Sequence, residues 1–334
     1  MGISCDQQDN IITCGYFQGT VDFDPGPSVL SYSALGMDPF ITKLNPAGNL
    51  IWSKQLRGSS NNVQSNAISV ALDNNDNIYV AGYFQNSLPN VLDFDPGPGT
   101  FTLSGFGAGS NGTFLLKLDA SGNFVWAKQF GDFGADVGYD LRVDNTGNIW
   151  CAGYFSNIPD FDPGSGTYTL SSSGQSDQFL LNISNAGNFI WAGMIGSGAQ
   201  ESGTSVCTTS NGRIYSTGYY GGTSDFNMGS GTFQMTPNGI DAYVYKQCQT
   251  FTSINATLNS LDLKIFPNPN SGNFTLDLEA AANIEIINSL GITIYNDQLN
   301  NGKHNFNISK HPSGLYILKL SSKGETKTIK LIKD

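Results

Sequence analysis

The chain has 334 residues, and its 39% hydrophobic and 12% aromatic content is enough for a packed core. Only 13% of residues are charged and 40 are glycine, which argues against helical bundles, coiled coils and disordered acidic tails and for short strands joined by tight turns. The net charge of −11 argues against a nucleic-acid backbone as partner. No apolar run approaches the roughly 18 residues of a membrane-spanning helix.

The charge is unevenly spread. Residues 1–248 carry 20 acids and 8 basic residues, all but Glu201 of the acids being Asp, whereas the remainder carries 7 and 8. This shift marks a domain boundary near residue 250. The first residues, Met1-Gly2-Ile3-Ser4-Cys5-Asp6, have neither the basic nor the apolar segment of a signal peptide.

Residues 1–248 repeat themselves. Gly15-Tyr16-Phe17, Gly82-Tyr83-Phe84, Gly153-Tyr154-Phe155 and Gly218-Tyr219-Tyr220 recur at intervals of 67, 71 and 65 residues. Each is followed by a second marker: Asp22-Phe23-Asp24-Pro25-Gly26, Asp93-Phe94-Asp95-Pro96-Gly97, Asp160-Phe161-Asp162-Pro163-Gly164 and the decayed Asp225-Phe226-Asn227-Met228-Gly229. A third is a hairpin-like stretch ending in Trp52, Trp126 or Trp191. Alternation within the second copy predicts strands at 67–72, 78–84, 100–103, 114–118 and 124–130. Units of this length with four strands predict an all-β fold, a β-propeller-like array of about four four-stranded blades at 1–57, 63–131, 137–197 and 203–248. A polar linker at 249–260 follows. Alternating strands with Gly and Asn turns over 261–334 then predict a small Ig-like antiparallel β-sandwich.

Several groups are candidates for chemistry. The only histidines, His304 and His311, lie in the last domain, so the repeats hold no Ser-His-Asp, Cys-His or His-metal arrangement. The pairs Asp22/Asp24, Asp93/Asp95 and Asp160/Asp162 put two carboxylates on one face of an extended segment, a set that suits Ca²⁺, the one cofactor the sequence suggests. Asp-Pro-Gly equally suits a tight turn, and both readings stand at this point. The stretch from Asp73 to Asn77 lacks the later ligands of a Ca²⁺ loop and reads as a hairpin turn. Of the five cysteines, Cys5 and Cys14 would face each other across a two-residue turn, which predicts a disulfide between them. The aromatics repeated once per blade predict interblade core, with a sugar-stacking platform as the alternative.

The Asp-rich turn, Ile78-Tyr79-Val80-Ala81-Gly82, the long loop, Phe114-Leu115-Leu116-Lys117-Leu118-Asp119 and Trp126-Ala127-Lys128-Gln129 together resemble the bacterial SBBP-type β-propeller repeat, over about residues 1–248. That resemblance implies an extracellular array without a defined activity. The last domain resembles the type A C-terminal sorting domain of the Bacteroidetes type IX (Por) secretion system. Pro267-Asn268-Pro269 with Gly272, then Gly291, then Gly314 and Tyr316, then the basic apolar end with Lys330 and Lys333, follow that family's order. The resemblance implies the type IX machinery as partner, export across both membranes, and a secreted or outer-membrane-surface location.

The first copy opens inside a strand, the fourth lacks its Trp strand, and an exported chain needs a signal peptide. The expectation is therefore that Met1 is not the native start and that a signal peptide and further blades precede it. A complete ring with one three-stranded blade is the alternative. The function expected is a non-enzymatic binding, adhesion or structural surface module with an extracellular protein or glycan ligand. A carbohydrate-active or other extracellular enzyme, its catalytic part upstream or built from carboxylates, is the competing reading.

Overall fold

The structure, a computed structural model, describes residues 1–85, 91–107, 109–229, 231–247, 263–268, 270–278, 281–288, 292–322 and 325–333. The linker expected at 249–260 lies outside them. Two compact units divide the chain, Met1–Thr250 and Phe251–Asp334. Every regular element described is a strand.

The first unit is a propeller-like array. Its four blades are antiparallel, with strands side by side in chain order. Blade 1 comprises Gly2–Cys5, Ile11–Asp22, Ser31–Leu44 and Leu50–Gln55. Blade 2 comprises Gln64–Leu72, Ile78–Gln85, Gly112–Leu118 and Phe124–Phe130. Val137–Val143, Ile149–Phe155, Asp177–Ile183 and Phe189–Ile195 form blade 3, and Glu201–Thr208, Ile214–Tyr220 and Asp241–Gln247 are the strands of blade 4 among the described residues. The strand expected at 100–103 is reduced to one bridge between Thr102 and Asp93. Short ladders pair Arg57–Gly58 with Leu92–Asp93 and Ser224–Asp225 with Gln234–Met235.

One turn recurs at the strand 1–2 and 3–4 connections. At Asp73 the N–H of Asp76 bonds back to the Asp73 carbonyl and that of Asp73 to the Asn77 carbonyl, with Asp76 at φ +59°. This is a type I turn closed by a bulge, the usual three-residue hairpin loop. Asp73 Oδ1 accepts the N–H groups of Asn75 and Asn77, as Asp6 and Asp144 do in their blades. The second oxygen finds a different partner each time: the Lys43 ammonium (2.7 Å), the Tyr79 hydroxyl (3.0 Å) and the Trp150 indole N–H (3.0 Å). The stretch from Asp73 to Asn77 is a turn, as its sequence predicts.

Blades pack through apolar faces. Ile12, Cys14 and Ile41 meet Val70, Val80 and Phe84 between blades 1 and 2. Tyr79, Ala81 and Leu115 meet Leu141, Cys151 and Phe155 between blades 2 and 3, and Trp150 and Leu180 meet Val206 and Ile214 between blades 3 and 4. The first two sequence markers are two halves of one contact. The Phe or Tyr ending the Gly-Tyr-Phe strand meets the Phe of the Asp-Phe-Asp loop edge-to-face in all four blades: Phe17–Phe23, Phe84–Phe94, Phe155–Phe161 and Tyr220–Phe226, at 5.0–5.5 Å and 81–89°. Each such pair contributes about 0.5–1.5 kcal/mol beyond burial and ties the long loop to the blade end.

The second unit has two sheets. Leu263–Phe266, Asn273–Leu278 and Gly302–Asn307 make one; Thr293–Leu299, Ala282–Asn288, Gly314–Ser322 and Glu325–Lys333 make the other. Alternate residues Phe274, Leu276, Leu278, Ile284, Ile286, Leu318 and Leu320 fill the core between them. This is the sandwich expected from the alternation.

Candidate functional site

The inner, first strand of blades 2, 3 and 4 carries a bulge at the same register. It falls between Ala67 and Ser69, Gly138 and Asp140, and Gly203 and Ser205. The bulge drives a carbonyl against the neighbouring strand. A β-carbon on Gly82, Gly153 or Gly218 would lie 1.9 Å from the carbonyl oxygen of Asn66, Val137 or Ser202. That close approach is why the marker begins with Gly.

Beyond that Gly the marker splits. Phe84 and Phe155 are buried, whereas Tyr83, Tyr154 and Tyr219 are half-buried and Tyr16 is 37% exposed. The expectation of core holds for the Phe half and fails for the Tyr half, because successive strand residues face opposite sides and the Tyr side ends at the mouth of the array. Tyr139, the residue bulged out of blade 3, joins them at 37% exposure, its ring 5.6 Å from that of Tyr154 and tilted 47° to it. Burial, followed by the neighbouring phenols, raises the hydroxyls of Tyr83, Tyr139 and Tyr154, the last to about 12. The neighbours acting are Tyr16 on Tyr83, Tyr219 and Tyr83 on Tyr139, which a hydrogen bond with Tyr154 partly offsets, and Tyr139, Asp136 and Tyr219 on Tyr154. Five phenols from four blades thus gather at one end of the strands. The long loops with the Asp pairs leave from that end. No sequence signal marks Tyr139, which lies outside the repeated motif.

Buried carboxylates sit just beneath. Asp136 directly precedes the first strand of blade 3, and Glu201 opens that of blade 4. Each accepts the N–H of the residue four before, Asp132 or Ser197, and of the residue twenty after, Ser156 or Gly221. Burial, with repulsion from Asp132, pushes Asp136 up to about 7. Asp177 is fully buried beside Glu201, and burial together with that neighbour raises it to about 6.

The Asp pairs build turns. Asp93 Oδ1 accepts the N–H groups of Asp95 and Phe101, and Asp95 Oδ1 accepts that of Gly97. Asp22/Asp24 and Asp160/Asp162 repeat this bond for bond, and Asp225/Asn227 does so in the fourth copy with an amide in place of the second acid. Among the described residues no three acids, histidines or cysteines gather in one place. One pair's carboxylates alone fall short of the six to eight oxygens Ca²⁺ takes.

The structure corrects the disulfide. The Asp6–Asn10 turn is longer than two residues, so the register sets Cys5 opposite Ile11 and Cys14 opposite Gly2. Three residues of offset separate the two cysteines by about 10 Å along the hairpin, beyond disulfide reach. Both are free thiols, and burial pushes Cys14 up to about 11.

In the second unit the residues expected to form the sorting signal converge from both ends. Asn268 accepts the N–H of Ile332 and donates to the Lys330 carbonyl. Asn270 donates to the Ile332 carbonyl through its backbone and its side chain. Its Oδ1 accepts the N–H of Gly272. Lys333 is buried and donates to the His311 carbonyl at 2.6 Å. Tyr316 lies in the core with its hydroxyl on the Pro312 carbonyl, and Gly314 opens its strand at φ +145°. Pro269 and Gly291 lie outside the described residues. Gly272 has φ +104°, and a β-carbon there would lie 2.7 Å from Ser309 Cα and 3.0 Å from Lys333 Cε. Gly272→Ala is expected to cost about 1–3 kcal/mol and to loosen the last strand. Faster proteolytic loss of the C-terminus from the variant than from wild type checks this.

Residues 264–334 match the family model described as a secretion system C-terminal sorting domain, and residues 51–83 match that of a beta-propeller repeat. Over 164 residues, 47% of the chain, the sequence is 30% identical to an uncharacterized WD repeat-containing protein of Acanthamoeba polyphaga mimivirus. The chain spans 11% of that protein's length. No helix among the described residues is long and apolar enough to cross a membrane. The chain therefore joins SBBP-type β-propeller repeats to a type IX secretion C-terminal sorting domain, which marks it for secretion or the outer-membrane surface.

Proposed function

We propose that the chain is a non-enzymatic binding protein, delivered by its sorting domain and binding through the mouth of its propeller. The carrying observation is the gathering of Tyr16, Tyr83, Tyr139, Tyr154 and Tyr219, half-buried or partly exposed, at strand ends where the next residue of the marker, Phe17, Phe84, Phe155 or Tyr220, is buried. Rings that face water from a rigid scaffold carry affinity at low entropic cost, and a propeller end offers such a concave platform. A carboxylate-based hydrolase would need two carboxyls facing one open pocket. The repeated Asp pairs face their own backbone, and Asp177 and Glu201 are sealed.

The test is a ligand-observed NMR screen of the full chain against neutral sugars, organic cations and organic anions. Saturable binding of at least one class is expected, with loss of it in the Tyr139→Ala, Tyr154→Ala double variant. A folded protein that binds none of the three would remove the proposal.

A further inference from the structure

Resting on that reading, we propose that the tyrosine mouth takes an organic cation, a substituted ammonium group held against the phenol rings.

Three observations lead there. The first is ring geometry. Tyr139 and Tyr154 stand 5.6 Å apart at 47°, a wedge rather than the flat shelf on which a sugar ring stacks. A wedge offers two π-faces to a compact positive group, and each face attracts it through the ring quadrupole.

The second is the company the rings keep. The titratable groups acting on Tyr83, Tyr139 and Tyr154 are other tyrosines and the Asp136 carboxyl behind Tyr154. None of them is basic, so an anion finds no counter-charge among them, whereas a cation finds phenol oxygens and π-faces. The Tyr83, Tyr139 and Tyr154 hydroxyls are raised, so these rings offer the quadrupole rather than a fixed charge.

The third is the field around them. Residues 1–248 hold 20 acids against 8 basic residues. The Asp-Phe-Asp loops begin at the strand ends where the tyrosines sit and fold back along the blades, with Phe101 on Phe124 and Tyr168 on Phe189. The excess of acids over the whole unit favours the approach of cations over anions. Charge complementarity and ring geometry therefore name the same occupant.

The experiment titrates the full chain with choline and, in parallel, with 3,3-dimethylbutan-1-ol, its neutral isostere, and with methyl β-glucoside. Choline is expected to bind saturably in the millimolar range, roughly fivefold or more tighter than the isostere. Tyr139→Ala with Tyr154→Ala should weaken choline by roughly fivefold or more, whereas Tyr139→Phe with Tyr154→Phe, which keeps the rings, should bind within about twofold of wild type. The Phe pair also guards against a folding defect, since it preserves volume. Equal binding of isostere and choline would overturn the inference, as would choline binding indifferent to the Ala pair. Preference for the glucoside, lost in the Ala pair, would overturn the cation and leave the binding reading standing. Silence from all three probes would overturn both.

Discussion

Asp140→Ala is expected to destabilise the propeller unit by about 3–5 kcal/mol, the range for removing one partner from a buried charged network. Asp140 occupies the position just after the bulge of blade 3, and Ser69 and Ser205 occupy the same position in blades 2 and 4. The Ser69 hydroxyl donates to Asp140 Oδ1 at 2.7 Å and accepts the N–H of Leu141 at 3.2 Å. From the other side, the Ser205 hydroxyl (2.6 Å) and the Val206 N–H (3.0 Å) donate to Oδ2. Arg142 balances the charge at 2.7 Å. One carboxylate thus joins three blades along their inner strands. Truncating it strands two hydroxyls and one N–H in a site that is only 8% exposed. Asp140→Asn should fall between, since the amide keeps one acceptor but sets its NH₂ against a donor it cannot satisfy. Urea unfolding gives the measurement, and Ser69→Ala, Ser205→Ala and their combinations with Asp140→Ala give the coupling. A midpoint for Asp140→Ala within about 1 kcal/mol of wild type would show that the blades are held by their apolar faces alone.

Much of the fold was legible because the repeat is loud. Gly82, Gly153 and Gly218 mark the bulge contact, and Phe84 with Phe94 and Phe155 with Phe161 mark the loop clasp. Both are contacts that tolerate little substitution, so the residues recur in register. The type IX sorting domain was legible for a related reason: Asn268, Gly272 and Lys333 meet in one clamp, and a contact between two chain ends leaves a motif at each.

What remained hidden turns on single residues and on register. Tyr139 has Ile68 and Thr204 at its equivalent positions, so no repeat announces it. Asp136 and Glu201 are two different acids aligned with Ser65, and only the shared hydrogen bonds four before and twenty after reveal their kinship. The Cys5–Cys14 pairing failed on turn length. A two-residue turn would bring the partners together, but Asp6 holds a longer turn by accepting the N–H groups of Gln8 and Asn10. The exposure of the tyrosines is not legible because strand alternation assigns a residue to a side but does not say whether the next blade covers that side to its end.

Stability should fall as pH rises from 5 to 8, the reverse of what a surface of salt bridges would give. Asp136 and Asp177 have carboxyls that burial raises to about 7 and about 6, so their neutral forms are the ones the fold prefers. A group raised in the folded state contributes fully below its unfolded value near 3.8 and loses that contribution as pH climbs through the folded value. For Asp136 this amounts to about 2–3 kcal/mol between pH 5 and 8. Asp177 adds in the same direction, because its Oδ1 has no hydrogen-bond donor of its own and faces Glu201, which a shared proton reconciles. Asp6 works the other way. Burial would raise it, but Lys43, Asn10 and Gln8 outweigh that and hold it at about 2, a contribution present above 3.8 and lost only in strong acid. The stability maximum is therefore expected between about pH 4 and 6. Melting temperatures from pH 3 to 9 provide the check. Asp136→Asn should flatten the alkaline limb whatever it does to the absolute value, and Glu201→Gln should do so in part by relieving Asp177. A melting temperature that stays level or rises between pH 5 and 8 would mean that water reaches these carboxyls and that the blade junctions open far more readily than their hydrogen bonds imply.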